Sequence, residues 1–521
     1  MKLINKTEGT LMFEDVNLTL LYDTDGRGIE IDDTIVERSP TIQACISNGK
    51  VKVVDGDSGS AVYLSAKNRQ ESSDGVEMTS MEERRPVSSN KAKPKKIKSI
   101  SGLEVGGLDD FDDDSNDGFL ADSNPTKIGS NKFKSNAAKD KYNSSGVKDI
   151  YYAGPSFDAG GYAKMNRQYS LGLNSKDDVE VFLDSSKSRL DIEGELFSEL
   201  DALTKNSVNK GCIKINAATA GTVTAAYYNV AYTMMETEKV HPQYIERCNQ
   251  YNEVWLPSKW CMEKFKESGL IKPSYYMPIG VDFENFNETK KPLDFNGKVN
   301  GFTFISVFGW SKRKGYDIFL KAFFEEFSNK DDVTFLVCSR YAGSTLDVKK
   351  EICRKEIRKI RDEVGRKDSP NIVYFGDVIP EKLMGNLYNS ADCYVGISRG
   401  EGLGLPWLEG SMCGLPVIGS NYSGLTDFLT EENSFLVEPE ELRPQKDVEW
   451  ISYFYNDMPL ADYGREAIDK TREHMRYIYE NYEKAKNKNK ILQKFIKENY
   501  NWDDCVNRAY NRIGNIYENM K

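Results

Sequence analysis

From residue 148 onward, short runs of continuously apolar residues alternate with stretches whose apolar positions recur every three or four residues. KDIYYA, CIKINAA, YYNVAYTMM and YNEVWLPS predict buried strands with helical stretches between them, and SYYMPIGVD closes this half. From Gly301 the alternation resumes. FTFISVFG, VTFLVCS, NIVYFG, CYVGIS and PVIGS read as strands; YDIFLKAFFEEF, LDVKKEICRKEIRKIRDEVG, PEKLMGNLYNSA and PWLEGSMC read as helices. Strands that are apolar throughout, separated by amphipathic helices, mean a parallel sheet covered on both faces. The pattern predicts two such α/β blocks, residues 148–283 and 284–455. Residues 456–521 are charged and helical, with apolar spacing suited to packing back across both blocks.

The first 147 residues read differently. Residues 1–63 carry short β-branched runs broken by Gly, Asp and Asn, a small β-rich unit with one short helix in ERSPTIQACISNGK. Residues 64–147 hold few apolar positions and cannot bury enough surface to offset their chain entropy, so a disordered linker is expected. The basic run 91–98 and the acidic run 109–117 within it read as solvated chain. DDFDDDSNDG offers an Asp-x-Asp and mimics the start of an EF-hand loop, but Asn124 stands at the twelfth position where glutamate is needed.

Composition narrows the chemistry. Lys and Arg number 70 against 81 Asp and Glu, a net charge of −11, which argues against a general nucleic-acid coat. No run approaches a membrane span and MKLINKTEGTLMF lacks a secretory core, so a cytoplasmic location is expected. The nine cysteines form no CxxC pair, which fits a reducing compartment. With only two histidines, His241 and His474, a histidine-rich metal centre is excluded.

The richest stretch is SRGEGLGLPWLEGSMCGLPVIGS. A strand ends, a glycine loop (Gly400, Gly402, Gly404) follows, and a helix opens near Pro406. Ligands of parallel α/β sheets bind outside the carboxyl ends of the strands. Free backbone N–H groups and the positive helix end there suit a phosphate, and glycine permits its close approach. Glu401 in the loop and Glu409 in the helix are placed to accept hydrogen bonds from vicinal sugar hydroxyls. A second loop, GWSKRKG, concentrates Lys312, Arg313 and Lys314 opposite this cradle. In the first half, PSFDAGGYAK puts Gly160 and Gly161 between strand and helix, facing the cleft from the other side, and Glu236 falls near a strand end with His241 close by.

G-E-G-L-G-L-P-x-L-E followed by C-G-L-P-V-I resembles the E-x7-E signature of family 4 retaining glycosyltransferases, which have the two-domain GT-B fold. VWLPSKWCMEKFKESGL with MPIGVDFENF looks like that family's interdomain crossover, FISVFGWSKRKGYDIFLKAF like its diphosphate loop, and NIVYFGDV like its base-binding strand end. The resemblance covers residues 148–515. It implies two Rossmann-like doubly wound domains facing a cleft, the first on the acceptor side and the second binding the donor. It further implies a hexosyltransferase that draws on a nucleoside-diphosphate sugar, with retention at the anomeric carbon, no cofactor and no metal. The residues carried over are Glu401, Lys314, Arg313 and Glu236 for catalysis; Gly402, Leu403, Gly404, Leu405, Glu409, Gly376 and Asp377 for the donor; and Gly160 and Gly161 for the acceptor side. One departure stands out. Where the family has an arginine nearest the strand end, this chain has Trp310, in a loop one residue shorter, leaving Arg313 as the substitute.

Two other readings remain open from sequence: a GT-B-like binding or structural protein without catalysis, and an enzyme that glycosylates modified nucleic-acid bases. The small unit 1–63 resembles modules of tailed-phage proteins, which implies docking to another protein and a host-cytoplasmic or virion setting. The acceptor could be a glycan, a protein or a modified nucleic acid.

Overall fold

The computed structural model describes residues 147–520 apart from 188–190, 193, 209–211, 219–222, 224–226, 341–345, 445–452 and 456; of the earlier residues it describes six short strands. Two compact units result, Met1–Lys93 and Pro94–Lys521. In the first, β1 (Lys2–Asn5) pairs antiparallel with β4 (Ile29–Glu30) and β5 (Val51–Val54), and β2 (Leu11–Phe13) pairs with β3 (Leu18–Leu20). The short helix expected in ERSPTIQACISNGK and the acidic DDFDDDSNDG run lie outside the described residues. Gly106–Gly107, β6, falls in the stretch read as linker and belongs to the second unit.

The second unit holds two doubly wound sheets. Its first half runs β7 (Lys148–Ala153), α1 (Gly161–Asn174), β8 (Val179–Asp184), α2 (Gly194–Leu203), β9 (Ile213–Ala218), β10 (Tyr228–Thr233), α3 (Pro242–Cys248), β11 (Glu253–Leu256), α4 (Lys259–Glu267) and β12 (Ser274–Tyr276). All six strands are parallel, in the order β12-β11-β10-β9-β7-β8. The hydrophobic pattern passed over β8, because VEVFLD alternates buried and half-buried positions at the sheet edge instead of reading as a solid apolar run.

The second half runs β13 (Phe302–Gly309), α5 (Tyr316–Glu326), β14 (Val333–Arg340), α6 (Leu346–Val364), β15 (Asn371–Phe375), α7 (Met384–Tyr388), β16 (Cys393–Gly396), α8 (Leu405–Met412), β17 (Val417–Ser420) and β18 (Phe435–Val437). Six parallel strands in the order β18-β17-β16-β13-β14-β15 carry β6 as an antiparallel edge, Gly107 opposite Val373. The strand order reverses between β16 and β13, the switch point where such sheets bind ligands. The two loops singled out from sequence, after β13 and after β16, flank that point.

A hairpin, β19 (Glu441–Pro444) with β20 (Pro459–Asp462), leads to α9 (Arg465–Glu480), α10 (Tyr482–Asn499) and α11 (Trp502–Met520). α10 stays with the second half, where Asn489 pairs with Ser411 at 2.7 Å. α11 lies on the first half. Its Cys505, Val506, Ala509, Ile513 and Ile516 are buried, Trp502 meets Tyr169 edge-on at 5.4 Å, and Arg512 forks onto the fully buried Glu253. Each large apolar side chain so buried contributes about 1.5–3 kcal/mol, so the last helix ties the two halves together. The eight described cysteines are buried and unpaired to one another.

Candidate active site

The loop after β16 is tied by hydrogen bonds to the turn that follows β17. The Glu401 amide donates to the Ser423 hydroxyl at 2.9 Å, and the Glu401 carbonyl accepts from Gly424. Ser423 takes a left-handed backbone (φ 63°), a conformation that costs a non-glycine residue on the order of 1 kcal/mol and persists only where the surroundings impose it. The glycines serve closeness, but not first to a phosphate. A Cβ on Gly400 would lie 2.0 Å from the Glu236 carbonyl oxygen, and one on Gly402 would lie 2.4 Å from the Met234 sulfur. They let the loop abut the first half. Gly404 supplies a left-handed turn (φ 102°) into α8.

The KRK stretch is a single 3-10 turn, Lys312–Lys314, stopped by Gly315, where a Cβ would collide with the Ile397 carbonyl. Arg399 fastens this turn to the glycine loop: its guanidinium forks onto Asp317 (2.8 Å twice) and donates to the Lys312 carbonyl. As a result Lys314 Nζ reaches both oxygens of Glu401, at 2.7 and 2.9 Å, while the Ser398 hydroxyl donates to the same carboxylate at 2.8 Å. Arg313 donates to the Gly400 carbonyl and stands 3.4 Å from Glu236 and 3.6 Å from Glu401. Burial pushes the Glu401 carboxyl up, but Lys314 and Arg313 outweigh it and hold the group below the usual carboxylate range. Burial, joined by Arg313, holds the Lys314 ammonium below the usual lysine range despite Glu401. Trp310 takes no part in this cluster. It is buried in an aromatic stack, 4.2 Å from Tyr316, so the arginine expected there has no counterpart in the cleft at that position.

The first half supplies the opposite wall. Gly160 and Gly161 open α1, whose Lys164 pairs with Glu409 of α8 and whose Arg167 pairs with Glu381 at 2.6 Å. The Tyr388 hydroxyl donates to the other Glu409 oxygen at 3.1 Å. Glu236 accepts from the Tyr455 hydroxyl and faces Arg313. His241 instead caps α3, accepting from the Gln243 amide at 3.2 Å, with its ring against Phe454.

Between these walls lies a cavity of about 520 Å³. It is lined by Glu401, Lys314, Arg313, Glu236, Gly402, Leu403, Gly404, Leu405, Glu409, Asp377, Gly160 and Gly161, every site residue carried over by the resemblance except Gly376; Gly400, Lys312 and His241 are not among its lining residues. Gly376 sits just behind the wall, its α-carbon packed where a Cβ would meet the Tyr374 hydroxyl at 2.7 Å. Lys164, Arg167, Arg340, Glu381 and Tyr388 also line it and went unnoticed in the sequence. Lys164 and Arg167 were detectable: they are basic residues three apart in the turns of helix directly after the Gly-Gly loop. Among the described residues, no three His, Cys, Asp or Glu side chains group as a metal would require, and no helix is long and apolar enough to cross a membrane.

Residues 300–456, which hold both loops and the E-x7-E pair, match the family described as "Glycosyl transferases group 1". The chain is 25% identical over 201 residues to a GDP-mannose-dependent monoacylated alpha-(1-6)-phosphatidylinositol monomannoside mannosyltransferase of Corynebacterium glutamicum. That alignment covers 36% of this chain and 48% of the relative, so the match spans about half the relative's length. Among solved structures, sucrose-phosphate synthase from Thermosynechococcus elongatus superposes with a TM-score of 0.51 at 14% identity, over 72% of this chain and 99% of its own. A glycosyltransferase from Rickettsia africae superposes with a TM-score of 0.50 at 13% identity, over 72% and 99%. The two doubly wound halves thus form a GT-B fold, and the second is similar over residues 300–456 to the group 1 glycosyl transferases.

Proposed function

We propose that this chain moves a hexose from a nucleoside-diphosphate sugar to an acceptor, with retention at the anomeric carbon and without a metal. One observation carries the reading. Glu401 is fixed between Lys314 and Arg313 at the mouth of α8, inside a cavity shared by both halves. When the glycosidic bond breaks, negative charge gathers on the departing diphosphate. A preorganised ammonium, a guanidinium and the N-terminal end of α8 all favour that charge, most strongly in a site closed to water. Glu409 would accept from the ribose hydroxyls, and the Gly160–Gly161 segment would approach the phosphates from the other wall. Glu401 and Glu236 then border the space left for the sugar. The acceptor would enter along the first half. The C. glutamicum relative, a GDP-mannose-dependent mannosyltransferase by name, is consistent with a hexosyl donor.

The test is a panel of nucleotide sugars offered to the full chain, with binding followed by thermal shift and turnover by release of nucleoside diphosphate. The anomeric configuration of the product is read by NMR, with and without EDTA. Turnover with retention that survives EDTA supports the proposal. Binding without turnover favours a catalytically silent binding protein, inversion removes the retaining assignment, and loss of activity in EDTA with rescue by a divalent cation removes metal independence.

A further inference from the structure

Resting on the reading that the cavity transfers a sugar from a nucleoside diphosphate, we infer that Tyr455 is a positioning residue for the reaction. Its hydroxyl holds the Glu236 carboxylate back from Arg313, and so keeps that guanidinium available to the leaving diphosphate. Tyr455 itself is not among the residues lining the cavity, whereas Glu236 and Arg313 are. Glu236 belongs to the first half, just past the end of β10; Tyr455 comes much later in the chain, just before β20. The Tyr455 hydroxyl donates to Glu236 Oε2, while Glu236 Oε1 stands 3.4 Å from Arg313.

The neighbours of Tyr455 seat that hydroxyl from two directions. Phe454, beside it in the 3-10 turn Tyr453–Tyr455, is buried against the first half. Its ring lies 4.9 Å from that of Tyr244 on α3, with the Arg247 guanidinium 4.8 Å from its centre. Edge-on aromatic packing of this kind fixes orientation as well as burying area. β20 is then bound on both sides. The Pro459 carbonyl accepts from the Glu238 amide at 2.8 Å, close to Glu236 in the chain, and the Ala461 amide donates to the Arg399 carbonyl at 3.0 Å, at the head of the glycine loop. The Arg399 amide in turn donates to the Arg313 carbonyl at 2.6 Å. The segment that carries Tyr455 is therefore tied to the backbone stretches of both partners it keeps apart.

A carboxylate offers two oxygens, and a guanidinium takes both at once when nothing else claims one. Here the phenol claims Oε2, so the Glu236–Arg313 contact stays one-sided and longer than a charge-assisted hydrogen bond. Burial and the adjoining Glu236 charge hold the Tyr455 phenol protonated, well above the ordinary tyrosine range despite Arg313, so it remains a donor. Without that donor, Glu236 is free to close onto Arg313 in a two-point pair and neutralise it. Charge on the departing diphosphate grows only as the glycosidic bond breaks. Withdrawal of the guanidinium therefore costs turnover more than donor affinity.

The experiment is steady-state release of nucleoside diphosphate by the full chain from UDP-glucose, GDP-mannose and the rest of the donor panel, repeated on Tyr455→Phe, Glu236→Gln and the double variant. Tyr455→Phe should lower kcat about tenfold, the loss expected of one hydrogen bond to a charged group, and change the donor KM less than about threefold. On top of Glu236→Gln the same substitution should change kcat less than about twofold, because no carboxylate is left to restrain. A crystal structure of Tyr455→Phe should show Glu236 and Arg313 closed into a two-point pair. A Tyr455→Phe loss that multiplies with that of Glu236→Gln marks a merely structural role and overturns the inference. So does a raised KM with an intact kcat, or a Glu236–Arg313 contact unmoved in the variant. Each of these leaves the glycosyltransferase reading standing. If the unaltered chain releases nucleoside diphosphate from no member of the panel, that reading itself fails, and the role of Tyr455 with it.

Discussion

Lys164 of α1 and Glu409 of α8 form an ion pair across the cleft, with side chains only 10% and 8% exposed. The pair joins the first half to the carboxylate that the proposed donor needs for its ribose. Lys164 lies 4.0 Å from Glu381 and over the Phe286 ring, so its ammonium is held from three sides. Glu409 is therefore satisfied from within the protein, by Lys164 and Tyr388.

Removing one partner of this buried pair should be costly and removing both should not. Lys164→Met leaves the buried Glu409 carboxylate without its counter-charge, held only by the Tyr388 hydroxyl, and is expected to destabilise the protein by about 3–5 kcal/mol. Lys164→Met combined with Glu409→Gln should recover most of that loss. Denaturant unfolding of the two single variants and the double variant checks it; strictly additive losses would show that the pair is not coupled.

Glu409→Ala should raise the donor KM by roughly ten- to a hundredfold and leave kcat at saturating donor nearly unchanged. Ribose contacts are made equally in the ground and transition states, and each charge-assisted hydrogen bond is worth about 1.5–3 kcal/mol. Steady-state kinetics over a wide donor range separate the two constants. A collapsed kcat with an unchanged KM would assign Glu409 a different role.

Lys314→Met should lower kcat on the order of 10²–10³-fold, as loss of one electrostatic donor does, because it faces charge that grows during the reaction. The variant is assayed beside the parent chain with and without EDTA. Arg313 is more entangled: it props the Gly400 carbonyl and faces both Glu236 and Glu401, so Arg313→Met should lower stability along with turnover. A silent Lys314→Met would transfer the cationic role to Arg313.

Activity should fall on the alkaline side at a lower pH than a free lysine would dictate. Burial and Arg313 hold the Lys314 ammonium below its usual range, so the cation is lost as pH rises through that lowered value. Stability has the opposite slope in this window: between the folded and unfolded pKa values the unfolded chain binds the extra proton, so this group makes stability rise with pH. Lys314→Arg should move the alkaline limb of kcat upward, since arginine does not deprotonate there. A limb that stays in place would place the titration elsewhere.

A chain beginning near Ser145 should still bind nucleoside diphosphate, because among the described residues every one that lines the cavity lies beyond that point. It loses the two-residue strand β6 from the edge of the second sheet. Calorimetry against the full chain tests this, and failure of a folded fragment to bind would bring the N-terminal region into the site.

Both parallel sheets could be read from the chain, because strands buried on two faces must be apolar throughout and the helices between them must be amphipathic. The Gly400–Glu409 stretch was equally legible, since a strand end, three glycines and a helix opening at a proline force one local geometry. β8 escaped because an edge strand needs only one apolar face. What the sequence could not supply were pairings between distant positions. That Gly400 and Gly402 are small so as to admit Glu236 and Met234 depends on how the halves abut. That Trp310 turns into an aromatic stack while Lys164 reaches Glu409, 245 residues away, depends on which side chains the folded cleft brings together. Local periodicity encodes which face of an element is buried, but the partner that buries it is fixed only when both sheets are assembled.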